Sequence, residues 1–276
     1  MVENLCSLPL NPPAARAAAA ALGSFPGRVV LHHHDLAWQR ERTAGVEGFP
    51  PDGAGWLHVT INDLSRRQLA ARGIEAVTIP NHFDLDAPPG DRIGTRRAFG
   101  FRDDEVVLLH PVRAIPRKDV PTGLRLAAKL ADLLGARPVR YWLTGPAEEG
   151  HGPALDARLA RAPVPVTRGR AASSADAYAA CDLVVFPSTW EGFGNPVIES
   201  VAARRPIAVA RYPVLEELLA WGLEVLFVDE PRAVAERLRD PDPARFDHNL
   251  DVARRHCALP DLPGRIDAAF RSVGWR

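Results

Sequence analysis

The chain has 276 residues, 46% of them hydrophobic and 25% charged, with a formal net charge of zero. That is enough to bury the core of one large domain or two ordinary ones, and the neutral balance argues against nucleic acid or an anionic membrane surface as the main partner. No stretch approaches the roughly 18 apolar residues of a transmembrane helix, and no basic start followed by an apolar run opens the chain, so a cytoplasmic enzyme is expected.

In chain order, an Ala-rich stretch at 14–21 is predicted to be helical. Apolar runs at 28–33, 56–61 and 75–79 then read as strands, with a helix over 63–71. Further strands are predicted at 106–110, 139–143, 164–167, 183–186, 206–210 and 225–227. Between them, helical patterns occupy 121–134, 154–161, 173–180, 196–203 and 214–220. Strand runs that are apolar throughout and alternate with helices indicate parallel sheets covered on both faces, the α/β class of Rossmann-like domains. Helix starts follow the usual capping chemistry, with Asp63 or Ser65 expected to cap the helix that follows Thr60-Ile-Asn.

The polar, Pro-rich segment 81–91 breaks this pattern and serves as the domain junction. It separates a partial N-terminal Rossmann-like domain at 1–86 from a complete one at 87–276, whose last helix is free to pack back on the first part. The first part holds material for about three strands. It reads as the remnant of a larger domain, whether through an internal start, a truncation or a compact enzyme.

Cys6, Cys181 and Cys257 are widely spaced, without a Cys-x-x-Cys pair, so neither a disulfide framework nor a structural zinc site is indicated. Three consecutive histidines, His32 to His34, cannot all ligate one ion from a strand, because successive side chains point to opposite faces. No metal and no cofactor are expected.

Three segments carry chemistry. The first is Phe186-Pro-Ser-Thr-Trp-Glu191-Gly-Phe193-Gly194-Asn195-Pro-Val-Ile-Glu199. A strand ends, a Gly-containing loop follows, and a helix begins near Pro196, where a proline suits the first turn. Glycines allow close backbone approach, helix-start N–H groups suit a phosphate, and two carboxylates can accept bonds from sugar hydroxyls. The second is His110-Pro-Val-Arg113-Ala-Ile-Pro-Arg117-Lys118-Asp119, again between a strand and a helix. Arg113 and Lys118 can converge there on a diphosphate. Lys118 is one of only two lysines, beside Lys129, in an arginine-dominated chain. The third is Leu31-His-His-His34-Asp35, in which a buried neutral histidine satisfied by the backbone is one reading of His34.

The string EGFGNPVIE resembles the E-x-F-G-x-x-x-x-E signature of retaining GT-B glycosyltransferases, particularly glycosyltransferase family 4 (glycosyl transferases group 1). ACDLVVFPS, the Arg113/Lys118 pair, His34-Asp35, IPNHFD and the Leu143-Thr-Gly145-Pro turn resemble further family features. His82 stands where the family usually has glycine. The resemblance implies a GT-B fold and transfer of a hexose from a nucleoside diphosphate sugar (UDP, GDP or ADP) to an unidentified acceptor hydroxyl, with retention of configuration. It assigns catalysis to His34, Arg113, Lys118 and Glu191. Donor binding falls on Gly145, on Glu199 at the ribose, and on the backbone of Phe193, Gly194 and Asn195. The family's N-terminal Gly-rich loop is not seen here. A nucleotide-sugar-binding module without transfer activity therefore remains open, as does another GT-B enzyme such as a phosphorylase or epimerase.

Overall fold

The computed structural model describes residues 1–275 and divides into two compact units, Met1–His82 together with the stretch from Cys257 onward, and Phe83–His256. In the first unit, β1 (Val2–Glu3), α1 (Pro12–Gly23), β2 (Val30–His33), β3 (Leu57–Thr60), α2 (Asp63–Ala70) and β4 (Ala76–Thr78) follow one another. Their strands form a parallel sheet in the order β1-β2-β3-β4. β1 has no counterpart in the sequence reading; two residues are too few to show a period. α2 is capped by Asn62, whose side chain accepts from the Ser65 N–H at 2.6 Å. Neither Asp63 nor Ser65 is the cap: Asp63 instead accepts from Arg66 and Thr78.

The second unit contains α3 (Arg92–Ala98), β5 (Val106–His110), α4 (Val120–Leu134), β6 (Val139–Leu143), α5 (Gly152–Leu159), β7 (Val166–Arg168) and α6 (Ser174–Ala180). It continues with β8 (Leu183–Phe186), α7 (Asn195–Ala202), β9 (Ile207–Val209), α8 (Leu215–Ala220), β10 (Leu226–Phe227), α9 (Pro231–Arg239) and α10 (Pro243–Cys257). All six strands are parallel, in the order β10-β9-β8-β5-β6-β7. Residues 106–109 of β5 and 183–186 of β8 are fully buried, which is why they read as unbroken apolar runs. The expectation of a GT-B type α/β fold with Rossmann-like parallel sheets is borne out.

α11 (Leu262–Ser272) belongs to the first unit. Leu262, Ile266, Ala269, Phe270 and Trp275 pack on Leu57, Val59 and Ile79 of that unit's sheet. The apolar faces of β3 and β4 are thus buried by a helix from the far end of the sequence. The three cysteines are buried and none is in a disulfide, and burial pushes the thiols of Cys181 and Cys257 up to about 12, so these two are chemically quiet.

Candidate active site

In the second unit the direction of strand succession reverses between β5 and β8. At such a switch point the loops leaving two adjacent strands diverge to opposite faces and open a crevice at their carboxyl ends, the usual ligand position in this fold class. The loop after β5 carries Arg113, Arg117 and Lys118; the loop after β8 carries Glu191. Strand order therefore brings together residues more than seventy positions apart in sequence.

Lys118 closes a 3₁₀ turn, Pro116–Lys118. Asp119, with φ of 44°, then reverses the chain and caps α4 by accepting from Thr122 N–H at 3.1 Å. This turn aims the ammonium inward. Lys118 Nζ donates to Glu191 Oε1. Arg117 Nη1 donates to Glu191 Oε2 at 3.2 Å and to the Trp190 carbonyl at 2.8 Å. Both oxygens of one carboxylate are thereby held by cations, and the Lys118 and Glu191 side chains are each only 10% exposed. Burial lowers the Lys118 pKa, while Glu191 opposes that shift and Arg117 adds to it. His110, the last residue of β5, lies fully buried with Nδ1 hydrogen-bonded to the Tyr141 hydroxyl at 2.5 Å. Its Nε2 has no partner, and burial, reinforced by Lys118, depresses its pKa to about 3, so it is neutral.

A cavity of about 420 Å³ lies beside the same loop, lined among others by Arg113, Gly145, Arg170, Ser173, Tyr178 and Glu199. That volume falls in the range of small-molecule sites. Glu199, on α7, accepts from the Tyr178 hydroxyl at 2.5 Å. Burial raises the Glu199 pKa and the Tyr178 bond opposes the rise. Gly145 is required sterically, since a Cβ there would lie 2.2 Å from the Val112 carbonyl oxygen. Gly194 caps α7 with φ of 101°, and a Cβ there would meet the Tyr212 hydroxyl at 2.1 Å. α7 therefore starts with a bare backbone turn, and Asn195 is its exposed first residue.

Not every candidate residue converges. Arg113 lines the cavity, but its guanidinium pairs with Glu148 at 2.7 Å rather than with the Lys118 cluster. The Phe193 side chain is buried between Phe83 and Trp221, which leaves only its backbone for a ligand. His34 belongs to the first unit, where Nε2 lies 3.2 Å from Glu3 Oε2. The buried neutral histidine of the triplet is His33, between Ser7 Oγ at 2.5 Å and His58 Nδ1 at 2.9 Å, with its pKa depressed to about 3, chiefly by burial. Sequence reasoning overlooked Arg117 and Tyr178. Arg117 was in plain sight beside Lys118, and only the five-residue spacing passed it over. Tyr178 gives no local signal, because it meets Glu199 through tertiary packing.

Residues 112–240 match the family model of glycosyl transferases group 1. The mannosylglucosylglycerate synthase of Thermotoga maritima is 25% identical over 315 residues, covering 94% of this chain and 73% of that protein. The D-inositol 3-phosphate glycosyltransferase of Thermobispora bispora is 34% identical over 177 residues, but the alignment spans only 40% of its length. Among solved structures, Anabaena Alr3699/HepE in complex with UDP and glucose superposes with a TM-score of 0.75 at 21% identity, covering 94% of this chain and 76% of that one. The WaaG glycosyltransferase involved in lipopolysaccharide biosynthesis gives a TM-score of 0.65 at 18% identity. The resemblance to group 1 glycosyltransferases drawn from the sequence is borne out.

Proposed function

We propose that this chain, with its glycosyl transferases group 1 segment, moves a hexose from a nucleoside diphosphate sugar to an acceptor hydroxyl with retention at the anomeric carbon, in the manner of family 4. The observation that carries the reading is the buried Lys118–Glu191–Arg117 cluster, set on the loops that leave two adjacent strands at the switch point. As the bond from the anomeric carbon to the diphosphate breaks, negative charge gathers on the leaving oxygen, and the acceptor hydroxyl bonds to the same face of that carbon while giving its proton to the leaving diphosphate oxygen. Lys118 and Arg113, with the N–H groups at the start of α7, stabilise the leaving diphosphate electrostatically. Arg113 exchanges Glu148 for phosphate. Glu199 takes the ribose hydroxyls, Gly145 and the Phe193–Asn195 backbone border the donor, and Glu191 positions the sugar, while the family resemblance gives His34 a sugar-positioning role of its own.

Glu191 is poorly suited to act as a covalent nucleophile, because both its oxygens are bound by cations. The stabilising charges are side chains of the chain itself, so transfer proceeds without a divalent cation or other cofactor. UDP-glucose is the first donor to test, since the HepE structure holds it. Calorimetric titration with UDP-, GDP- and ADP-hexoses, run beside a product assay and anomer analysis by NMR, tests the reading. Saturable donor binding with an α-linked product from an α-linked donor supports it. Binding without transfer or donor hydrolysis marks a binding module instead.

A further inference from the structure

Glu3, His32 and His34 bring three metal-ligand groups together in the first unit, with one ligand atom from each lying within 4.8 Å of the others. The arrangement follows from the sheet. β1 pairs in parallel with β2 so that Glu3 stands opposite His32. Residues two apart along a strand share a face, so His34 follows His32, while His33 turns the other way to Ser7 and His58. Glu3 Oε2 lies 2.7 Å from His32 Nδ1 and 3.2 Å from His34 Nε2, so both imidazoles aim a nitrogen at one point. Asn4 fixes the backbone around them. Its N–H donates to the His32 carbonyl at 2.9 Å, and its Oδ1 accepts from the N–H groups of His34 and Asp35 at 3.0 and 3.2 Å. The side chains of His32, His34 and Glu3 are 23%, 44% and 49% exposed, which leaves the cluster open to an ion from solution.

We propose that Glu3, His32 and His34 form a binding site for a divalent transition-metal ion of the zinc, cobalt and nickel class, with Glu3 Oε2, His32 Nδ1 and His34 Nε2 as ligands. Two imidazoles and one carboxylate suit these ions and give no preference to magnesium or calcium, which take oxygen. Metal bonds of about 2.0–2.1 Å put tetrahedral ligand atoms about 3.3 Å apart, and small side-chain adjustments bring the three atoms to that spacing. The hydrogens now lying between Glu3 and the two rings give way to the ion, and water fills the remaining positions. Because the third ligand comes from β1, the histidine triplet alone did not reveal the site. The proposal shares His34 with the sugar-positioning role proposed above, and its test reads metal binding alone, so it stands or fails separately from that role.

Chelator-stripped protein titrated with Zn²⁺ by calorimetry, and with Co²⁺ by visible absorption, tests it. The expected result is one saturable equivalent per chain, with Co²⁺ giving ligand-field bands. Glu3→Gln and His32→Ala should each weaken binding by more than about tenfold, whereas His151→Ala should leave it unchanged. Zn²⁺ should also raise the melting temperature of the wild type and not of the two variants. Either variant suffices, and circular dichroism verifies that each is folded. Unsaturable uptake by the wild type, or affinity unchanged in both folded variants, overturns the proposal.

Discussion

Lys118 and Glu191 lie on different loops 73 residues apart, yet each is the other's buried ionic partner. Such a pair is costly to bury, and removing Lys118 leaves Glu191 with Arg117 as its remaining cationic partner. Lys118→Ala should therefore act twice. Turnover should fall by about 10²–10³-fold through lost charge stabilisation, and stability should fall by less than the ~3–5 kcal/mol of a buried charge left wholly unpaired, because Arg117 still holds Glu191. Steady-state kinetics and urea denaturation of the same preparation measure the two effects. Unchanged kinetics in a folded variant would remove Lys118 from the mechanism.

Tyr178 and Glu199 give a pH-dependent expectation. Burial raises the Glu199 pKa, and the Tyr178 hydrogen bond favours the ionised form. If the carboxylate takes the ribose, donor affinity declines as pH falls through that raised pKa. Tyr178→Phe removes the opposing bond, so the decline should begin at higher pH. Calorimetric donor affinity between about pH 5 and 8 measures the displacement, and a profile identical to the wild type would contradict it. Glu199→Ala should weaken donor binding about tenfold or more, equivalent to about 1.4 kcal/mol, with a smaller effect on turnover.

Gly194 cannot carry a side chain without penalty, for two separable reasons: its φ of 101° and the Tyr212 hydroxyl 2.1 Å from where a Cβ would sit. Gly194→Ala should cost about 1–3 kcal/mol from backbone strain alone and more from the clash. Adding Tyr212→Phe should restore the steric part and leave the backbone part. Thermal melts of the single and double variants separate the contributions; no rescue would mean that the clash is relieved elsewhere.

His110 is neutral and buried with a pKa near 3, against an ordinary value of 6.5. The unfolded chain therefore binds a proton that the folded chain refuses between about pH 6.5 and 3. Stability must fall as pH is lowered through that window, by about 1.4 kcal/mol per unit from this residue. Between pH 7 and 5 the wild type should lose about 2 kcal/mol more than His110→Asn. Denaturant titrations at both pH values test this, and equal losses would show that His110 titrates normally.

The nine strands expected from apolar runs all form, and those buried on both faces, such as β5, β8 and β9, leave an unbroken hydrophobic signature. β1 escaped because its two residues carry no pattern. α3 and α9 escaped because their charged sequences hold few buried positions, Val234 and Ala235 in α9 for example, and α10 because its buried residues are set among charged ones. Glu191 and Lys118 were legible as a motif and a rare residue type. Their mutual bond was not, since it depends on strand order rather than on spacing. Tyr178 and Glu3 share that cause: each meets its partner through tertiary pairing that no local window contains.

The burial of β3 and β4 under α11 also orders the birth of the molecule. Synthesis proceeds from the N-terminus, and domains generally fold as units. The sheet of residues 1–82 emerges first, but the helix that covers it is translated only after the whole of Phe83–His256. The later-made unit is therefore the first with all its parts in hand. Until the residues of α11 leave the ribosome, the apolar surface of Leu57, Val59 and Ile79 lacks its cover, so that sheet needs guarding for as long as Phe83–His256 is being made.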